Sequence, residues 1–294
     1  MKRCDSLASI LYIVQSDIRM NNKRSIEVIM VLNKGIYSSL HGKNALILGG
    51  SRGIGKAISI RLAQEGCNVV INYARSKDAA TETAKICSSF GIEAKIVQGD
   101  IGKESDVKEI YEKINGNDLD ILINNAARGL ERPRPAIDQK PKHLHNTMDV
   151  NLFGPWHAIQ NAFPLMKENG GGVIINLLSP GADHYMPNYS AVGISKAALN
   201  SLTMYLSVEL APFGIRVNGV SAGWVEGSDG EHSYRKETSD RVKPFVPIGR
   251  NVSPEDIASA VAWMCSDESS MLVGHVLHID GGFNHGAWKA ILDN

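Results

Sequence analysis

The most constraining feature of this sequence is a regular alternation of short apolar runs with longer stretches of helical periodicity. The run "NALILG" at 44–49 enters a glycine-rich turn, and "GIGKAISIRLAQEG" at 53–66 follows it with helical spacing. Runs that are apolar at nearly every position are typical of parallel strands buried on both faces. Strands are predicted at 44–49, 67–73, 92–98, 119–124, 171–178, 215–220 and 274–279. Helices are predicted near 53–66, 76–91, 103–115, 140–168, 189–212 and 254–267.

This alternation predicts an α/β fold, with one seven-stranded parallel sheet in a single doubly wound Rossmann domain. No linker divides residues 42–294, which we assign to that domain. Residues 1–41 have a basic start and a short apolar run without a small-residue cleavage site, so we expect a poorly ordered extension. Residues 221–253 are polar and rich in glycine, which is typical of a lid or substrate loop.

Composition narrows the classes of partner. The chain has 294 residues, of which 31 are basic and 31 are acidic, so its formal net charge is zero and nucleic acid is not an expected ligand. No apolar run approaches the roughly 18–20 residues of a membrane span. The four cysteines are scattered without metal-ligand spacing. We therefore expect buried free thiols, no metal site and a cytoplasmic location.

The turn after the first strand has the composition of a phosphate-binding site. In "LGGSRGIG" (48–55), glycines permit a tight turn and a close approach of the backbone to a ligand. The helix that follows offers free N–H groups and the positive end of its dipole to a pyrophosphate. The alternative is a glycine-rich connection that serves only packing. The predicted contacts of the cofactor here are Gly49, Ser51, Arg52, Gly53, Ile54 and Gly55.

The end of the second strand indicates which nicotinamide cofactor is bound. Sites for NAD usually carry an acidic residue there to bind the ribose hydroxyls, but "INYARS" (71–76) has none. Arg52 and Arg75 are available for a 2′-phosphate, which the planar guanidinium group binds through two bonds, and Ser76 adds a hydrogen bond. The sequence therefore predicts NADPH. The alternative is that Arg75 is a solvated surface charge.

With these features, the chain resembles the short-chain dehydrogenase/reductase family over nearly all of 42–285. The further motifs that carry the resemblance are "GDI" (99–101), "NNAA" (124–127), "MDVNLFG" around Asn151, "INLLSPG" around Ser179, "IRVNGVSAG" (215–223), "PIGR" (247–250) and "IDGG" (279–282). The resemblance implies that further residues contact the cofactor, namely Asp100, Ile101, Asn125, Ala126, Ala127, Lys196 and Gly223.

One spacing departs from the usual pattern of that family. Its ordinary members have a tyrosine four residues before the lysine, where this chain has Val192; here Tyr189 lies seven residues before Lys196. Ser179 keeps its usual distance to Lys196, so the tyrosine itself has moved. This Tyr-x6-Lys spacing resembles that of the enoyl-acyl-carrier-protein reductases, and "INYARSK" resembles their NADPH-dependent branch.

A geometric argument links this spacing to a reaction. If both residues lie on one helix, Tyr189 and Lys196 share a face about 10 Å apart along the axis, against about 6 Å for a four-residue spacing. In reduction of an enoyl thioester, hydride adds to the β-carbon and negative charge develops on the more distant thioester oxygen. We therefore predict NADPH-dependent reduction of the 2,3 double bond of a trans-2-enoyl thioester.

The predicted catalytic residues have separate roles. Tyr189 donates a proton or hydrogen bond to the oxygen, and Ser179 assists with a second hydrogen bond. Lys196 holds the ribose and favours the phenolate form of Tyr189 by its charge. Asn151 supports a water molecule or the geometry of its helix. Tyr185 is a rival proton donor, or lines the acyl pocket.

Two other functions remain open from the sequence. One is a carbonyl reductase, such as a 3-oxoacyl thioester reductase. The other is a sensor or scaffold that binds NADPH without turning it over. The expected substrate is an acyl thioester, with acyl carrier protein as its candidate carrier. Family resemblance also implies a homotetramer that packs through the helices near 140–168 and 189–212.

Overall fold

The structure is a computed structural model that describes residues 35–114, 118–129, 133–226 and 233–286. Seven parallel strands form one sheet in the order β3-β2-β1-β4-β5-β6-β7. The strands are β1 Asn44–Leu48, β2 Asn68–Tyr73, β3 Ala94–Gln98, β4 Ile121–Asn124, β5 Gly172–Leu178, β6 Ile215–Ala222 and β7 Val276–Ile279. The strand order reverses between β1 and β4, as in other doubly wound sheets. The predicted fold class is confirmed.

Helices cover both faces of the sheet, as the right-handed connection of parallel strands requires. They are α1 Gly53–Gln64, α2 Lys77–Ser88, α3 Glu104–Lys113, α4 Pro141–Met148, α5 Gly154–Glu168, α6 Ser190–Leu210, α7 Ser233–Val242 and α8 Pro254–Cys265. Short 3₁₀ turns include Ser38–Leu40 and Pro180–Ala182.

Two apolar layers explain why the strands are apolar at almost every position. Along β1, Ile47 packs in the layer that contains α1 and α8, whereas Leu46 and Leu48 pack in the layer that contains α3 and α5. Successive side chains of a strand point to opposite faces, so a strand covered on both sides has no polar face. The sheet thereby holds its loops at fixed positions.

Two predicted segments differ in detail from the structure. The predicted helix 140–168 is interrupted by a π-helical turn at Asp149–Phe153, which separates α4 from α5. Such turns admit one extra residue into a helix and have no simple signature in sequence. Helix α7 lies within the segment 221–253 predicted as a lid or substrate loop, and residues 227–232 of that segment lie outside the described residues.

Residues on the N-terminal side of the predicted boundary at residue 42 also pack against the domain. Leu40 is only 1% exposed, its carbonyl accepts a bond from Cys67 Sγ at 3.2 Å, and Tyr37 N donates to Glu65 Oε2 at 2.8 Å. Residues 35–41 therefore pack against the start of β2 and the end of α1. Residues 1–34 of the predicted extension, like residues 287–294, lie outside the described residues.

The expectation of buried free thiols is confirmed for the cysteines that the structure describes, Cys67, Cys87 and Cys265. Burial raises the pKa of all three thiols, to about 12 for Cys87 and Cys265, so they are protonated and unreactive at neutral pH. None of the helices in the described ranges combines the length and hydropathy that crossing a bilayer requires.

The packing of Leu40 generates a prediction about the domain boundary. Leu40→Ala should lower the free energy of unfolding by about 2–4 kcal/mol, because it leaves a cavity in the core. Ile36→Ala is the matched control, since Ile36 belongs to the same segment but is 77% exposed; its effect should stay within about 0.5 kcal/mol. Denaturant unfolding measures both. Equal effects of the two substitutions would contradict the packing of this segment.

Candidate active site

The predicted site residues follow the carboxyl ends of six strands. Because all the strands are parallel, these ends meet at one edge of the sheet, where doubly wound domains bind ligands. The segments after β1, β2, β3, β4, β5 and β6 contain, in that order, Gly49–Gly55, Arg75–Ser76, Asp100–Ile101, Asn125–Ala127, Ser179 and Gly223, of which Gly53–Gly55 form the start of α1. Residues up to 174 positions apart in sequence are thereby brought to the same edge.

The glycine-rich turn has the geometry of a phosphate cradle. Gly49 and Gly53 have φ of 73° and 50°, a region that side chains with a Cβ rarely adopt. A Cβ on Gly55 would lie 2.6 Å from Asn125 Nδ2. Arg52 occupies the N-cap of α1 without a side-chain capping bond, so the N–H groups of the first turn remain for a ligand. The residues of this turn fit a dinucleotide.

Two amides hold this turn in place, and only Asn125 is among the site residues predicted from the sequence. Asn125 Nδ2 donates to Gly49 O at 2.9 Å. Asn72, which is 2% exposed at the end of β2, accepts from Gly49 N at 3.2 Å and donates to Gly99 O at 3.1 Å. Asn72 therefore joins the ends of three strands. In the sequence, Asn72 is the polar residue near the end of the apolar run "VVINY", and this position could have marked it as a site residue.

The two arginines predicted for a 2′-phosphate are both exposed, at the edge of the sheet. In the described part of the chain, neither Arg52 nor Arg75 forms an ion pair with a carboxylate. Ser76 is half-buried at the N-cap of α2 and makes no capping bond. These groups are free to bind an anion.

Two predicted cofactor contacts also have evident packing roles. Ile101 is 3% exposed and belongs to the core, so its side chain supports the site from beneath. A Cβ on Gly223 would lie 2.9 Å from Asp280 Cα, so this glycine permits β6 and the loop after β7 to approach closely. Half-buried Asp100 accepts from Gly102 N at 3.1 Å, which shapes the turn after β3.

Two hydroxyl groups meet after β5. Tyr189 Oη lies 3.1 Å from Ser179 Oγ, within hydrogen-bond distance, and either atom can donate. Ser179 is the N-cap of the 3₁₀ turn Pro180–Ala182 and accepts from Gly181 N at 3.4 Å. A substrate oxygen that approaches both hydroxyls can receive two hydrogen bonds.

Lys196 lies on α6 and is only 4% exposed. Its Nζ donates to Leu177 O at 2.6 Å, so the side chain crosses from α6 to β5 two residues before Ser179. Burial lowers the pKa of Lys196 from its usual 10.5 to about 8, because the charged form loses its hydration. A lysine with this pKa is still mostly cationic at neutral pH.

Tyr189 lies at the N-cap of α6 and not within the helix as predicted. It is the residue before α6, with φ of −109° and ψ of 8°, and α6 begins at Ser190. Its side chain therefore leaves from a non-helical backbone, although its carbonyl accepts the first helical bond, from Gly193 N at 2.8 Å. Val192, which occupies the usual tyrosine position four before Lys196, is 3% exposed and buried in the fold.

Asn151 is buried in the π-helical turn, with no exposed surface. Its Oδ1 accepts from Arg128 N at 2.7 Å, and its Nδ2 donates to Arg128 O at 3.2 Å and to Ser195 Oγ at 3.0 Å. These bonds tie the loop after β4 to α6, one residue before Lys196. Asn151 thus links the loop after β4 to α6, and its predicted role in catalysis stays a prediction.

Tyr185 is 88% exposed, in the loop before α6. A cavity of about 200 Å³ has Leu144, Ser190 and Ile194 in its wall. At about 100° per residue, Ile194 points about 160° away from Lys196, so this part of the wall lies on the other side of α6 from Lys196.

Comparisons with known proteins agree with this geometry. A family model described as Enoyl-(Acyl carrier protein) reductase matches residues 49–284. The 3-oxoacyl-[acyl-carrier-protein] reductase FabG of Staphylococcus epidermidis is 34% identical over 242 residues, which cover 82% of this chain and 98% of that protein. The chain belongs to the short-chain dehydrogenase/reductase family.

Other members of the family differ in substrate. The 3β-hydroxysteroid dehydrogenase 1 of Eggerthella lenta is 33% identical and covers 84% of this chain and 95% of its own length. The crystal structure of 3-ketoacyl-(acyl-carrier-protein) reductase from Brucella melitensis, complexed with NADH, has a TM-score of 0.76 at 33% identity and covers 83% of this chain and 99% of that one. L-sorbose reductase from Gluconobacter frateurii, complexed with NADPH and L-sorbose, has a TM-score of 0.77 at 26% identity and covers 85% and 98%.

Membership of this family makes the chain an NAD(P)-dependent oxidoreductase. The alternative of a non-catalytic sensor or scaffold is therefore set aside. The family does not by itself choose between NAD and NADP, because the similar structures include complexes with both. It also leaves the substrate open, since the named relatives act on different classes of compound.

The role of Asn72 can be tested by its effect on cofactor binding. Asn72→Leu should raise the Kd of the nicotinamide cofactor about 10-fold, because Gly49 loses the acceptor that orients its N–H. Fluorescence titration measures this Kd.

The matched control is Asn68→Leu, since Asn68 also makes two side-chain bonds on β2 but lies at the opposite end of the strand. It should lower stability to a comparable degree and leave the Kd within about 2-fold. An equal loss of affinity in both variants would show that Asn72 acts only through global stability.

Proposed function

We propose that this oxidoreductase reduces the 2,3 double bond of a trans-2-enoyl thioester with NADPH. The observation that carries the choice of the enoyl substrate is the position of the tyrosine, seven residues before Lys196. The hydroxyls Ser179 Oγ and Tyr189 Oη, 3.1 Å apart, support binding of a substrate oxygen. The family model, by its description, supports the same reaction.

The reaction adds a hydride at C3 of the substrate and a proton at C2. The nicotinamide ring supplies the hydride when the cofactor is bound. Between the two additions, negative charge develops on the thioester oxygen. Tyr189 and Ser179 donate hydrogen bonds to this oxygen, and they stabilise the charge more strongly than the uncharged substrate. The proton at C2 comes from solvent or from Tyr189.

Lys196 acts on both the cofactor and the tyrosine. Its ammonium group donates to Leu177 O, which directs the side chain toward β5, the strand that Ser179 follows. In this position the cation binds the nicotinamide ribose and favours the ionised form of the Tyr189 phenol.

NADPH is proposed over NADH because of the charges at the end of β2. The loop 74–76 has no carboxylate for the ribose hydroxyls, whereas Arg75 is exposed there and Arg52 is exposed at the neighbouring turn. Two guanidinium groups favour the 2′-phosphate that only NADPH carries. A carboxylate at this position would instead repel it.

A second candidate is reduction of a 3-oxoacyl thioester, and the named relatives favour it. Both the Staphylococcus epidermidis protein and the Brucella melitensis structure are named as reductases of 3-oxoacyl or 3-ketoacyl groups on acyl carrier protein. In that reaction the hydride adds to the carbon that bears the oxygen, and Tyr189 protonates this oxygen directly. By name these relatives support the oxo substrate more strongly than the enoyl substrate. The tyrosine–lysine spacing supports the enoyl substrate.

Two kinds of partner are also proposed, an acyl carrier protein and further copies of this chain. The names of the relatives support acyl carrier protein as the carrier of the thioester. A homotetramer is proposed from the family resemblance, and exposed apolar side chains on α6 support contact through that helix. Their exposed fractions are 56% for Met204, 63% for Tyr205 and 71% for Val208.

Paired substrates test the proposed function. Oxidation of NADPH is followed with crotonyl thioester and with acetoacetyl thioester, and each assay is repeated with NADH. We expect turnover of the crotonyl substrate, with NADPH preferred by about 10-fold or more. Tyr189→Phe should lower kcat by about 100- to 1,000-fold, because one donor to the oxyanion is lost.

The control is Tyr185→Phe, which removes the rival phenol four residues earlier and should change kcat by less than about 3-fold. Turnover of the acetoacetyl substrate alone would replace the enoyl function with the second candidate. Loss of activity in Tyr185→Phe alone would transfer the role of proton donor to that residue.

The pKa of Lys196 gives a prediction about pH. Below pH 8 the lysine is cationic, and its charge is lost as pH rises through about 8. Because kcat/KM reports the free enzyme, kcat/KM for NADPH should fall about 10-fold per pH unit above that value. Lys196→Met should lower kcat/KM about 100-fold and remove the dependence.

Stability gives an independent readout of the same pKa. Because the pKa is lower in the folded state than in the unfolded chain, the unfolded state binds more protons between pH 8 and 10.5. The wild type should therefore gain stability relative to Lys196→Met as pH rises through this window. A flat difference across the window would contradict a lowered pKa.

A further inference from the structure

The backbone immediately before Tyr189 has an unusual conformation. Asn188 has φ of 61°, and among the residues that the structure describes it is the one non-glycine residue with positive φ. Asparagine tolerates this left-handed region better than most residues, and β-branched residues rarely adopt it. Conformations of this kind cluster at functional sites, where the surrounding structure maintains them.

Asn188 belongs to a β-turn that ends at the tyrosine. Tyr189 N donates to Met186 O at 3.2 Å, so Pro187 and Asn188 are the two central residues of the turn. Proline at the first central position and positive φ at the second are the pattern of a type II turn. Tyr189 O then accepts from Gly193 N at 2.8 Å, which starts α6. The direction in which Tyr189 leaves the backbone is thus set by this turn.

The ring of Tyr189 lies against a glycine on the other side. A Cβ on Gly181 would lie 2.6 Å from Tyr189 Cδ1 and 2.8 Å from Cε1, so there is no room for a side chain. Gly181 itself approaches α6 closely, because a Cβ on Gly193 would lie 2.7 Å from Gly181 O. The absence of side chains at both positions brings the turn that follows Ser179 next to the phenol.

We propose that the Pro187–Asn188 turn and Gly181 are positioning elements that direct the Tyr189 hydroxyl to Ser179, with Asn188 as the positioning residue. The inference rests on the proposed role of Tyr189 as the hydrogen-bond donor to the substrate oxygen. It explains how a tyrosine outside the helix, seven residues before Lys196, reaches the serine. The turn thus supports a tyrosine at position 189, whereas ordinary members of the family carry their tyrosine at the helical position that Val192 occupies here.

A set of substitutions separates positioning from folding. Asn188→Gly keeps the left-handed conformation and should retain the wild-type rate within about 2-fold. Asn188→Val disfavours that conformation and should lower the single-turnover rate of NADPH oxidation about 10-fold or more, with the Kd of NADPH unchanged. Gly181→Ala should lower the same rate, because its methyl group displaces the ring.

His184→Val is the matched control. It places the same β-branched side chain in the same exposed loop, at a position without positive φ, and should leave the rate unchanged within about 2-fold. Thermal unfolding of every variant shows whether the fold is kept. A rate that is kept in Asn188→Gly and lost in Asn188→Val supports positioning, because the rate then follows the ability of residue 188 to adopt positive φ. A general loss of stability would not produce this difference.

The outcomes distinguish this inference from the proposed function. If Tyr189→Phe leaves turnover of both thioester substrates unchanged, the role of the tyrosine fails, and the inference fails with it. If Tyr189→Phe abolishes turnover while Asn188→Val and Gly181→Ala behave like His184→Val, the positioning inference alone is overturned. A lower melting temperature in Asn188→Val with an unchanged single-turnover rate would also overturn it.

Discussion

The constraint on which the rest of this structure depends is the common direction of its seven strands. Because the strands are parallel, the carboxyl ends of all of them lie at one edge of the sheet. The helices that connect the strands cover both faces of the sheet. The loops at that edge therefore converge whatever their sequence. The site is built from a few polar residues near strand ends, where side chains no longer need to be apolar to pack in the core. Asn72 holds the glycine-rich turn, and Ser179 carries one of the two site hydroxyls.

Much of this could be predicted from the sequence, for identifiable reasons. Strands and helices follow from local apolar periodicity, and the glycine-rich turn follows from residue types at fixed spacing. The pairing of Ser179 with Tyr189 was expected from motifs and lies at hydrogen-bond distance in the structure. The polar residue at the end of β2 was visible in the sequence, but the partners of Asn72 were not, because Gly49 and Gly99 are distant from it along the chain. The π-helical turn has no simple sequence signature.

The tyrosine illustrates the limit of periodicity. Tyr189 was predicted to lie on a helix because the residues that follow it are helical. Instead, "MPNY" forms a turn that ends at Tyr189, and the helix begins at the next residue. Helix ends are the least predictable part of a helix. The remaining ambiguity, enoyl or oxo substrate, has a related cause. Two hydroxyls that bind an oxygen do so whether the carbon that accepts hydride is bonded to that oxygen or lies two bonds away.

The place where residues 35–41 pack on the domain has a practical consequence. Residues 35–41 pack beside the start of β2, and β1 begins at Asn44, so the chain enters the sheet at the edge opposite to Ser179 and Lys196. An affinity tag or a solid support joined upstream of this segment would be anchored at the far end of the domain. Immobilised protein would then present the carboxyl ends of its strands, with Ser179 and Tyr189, to the solution.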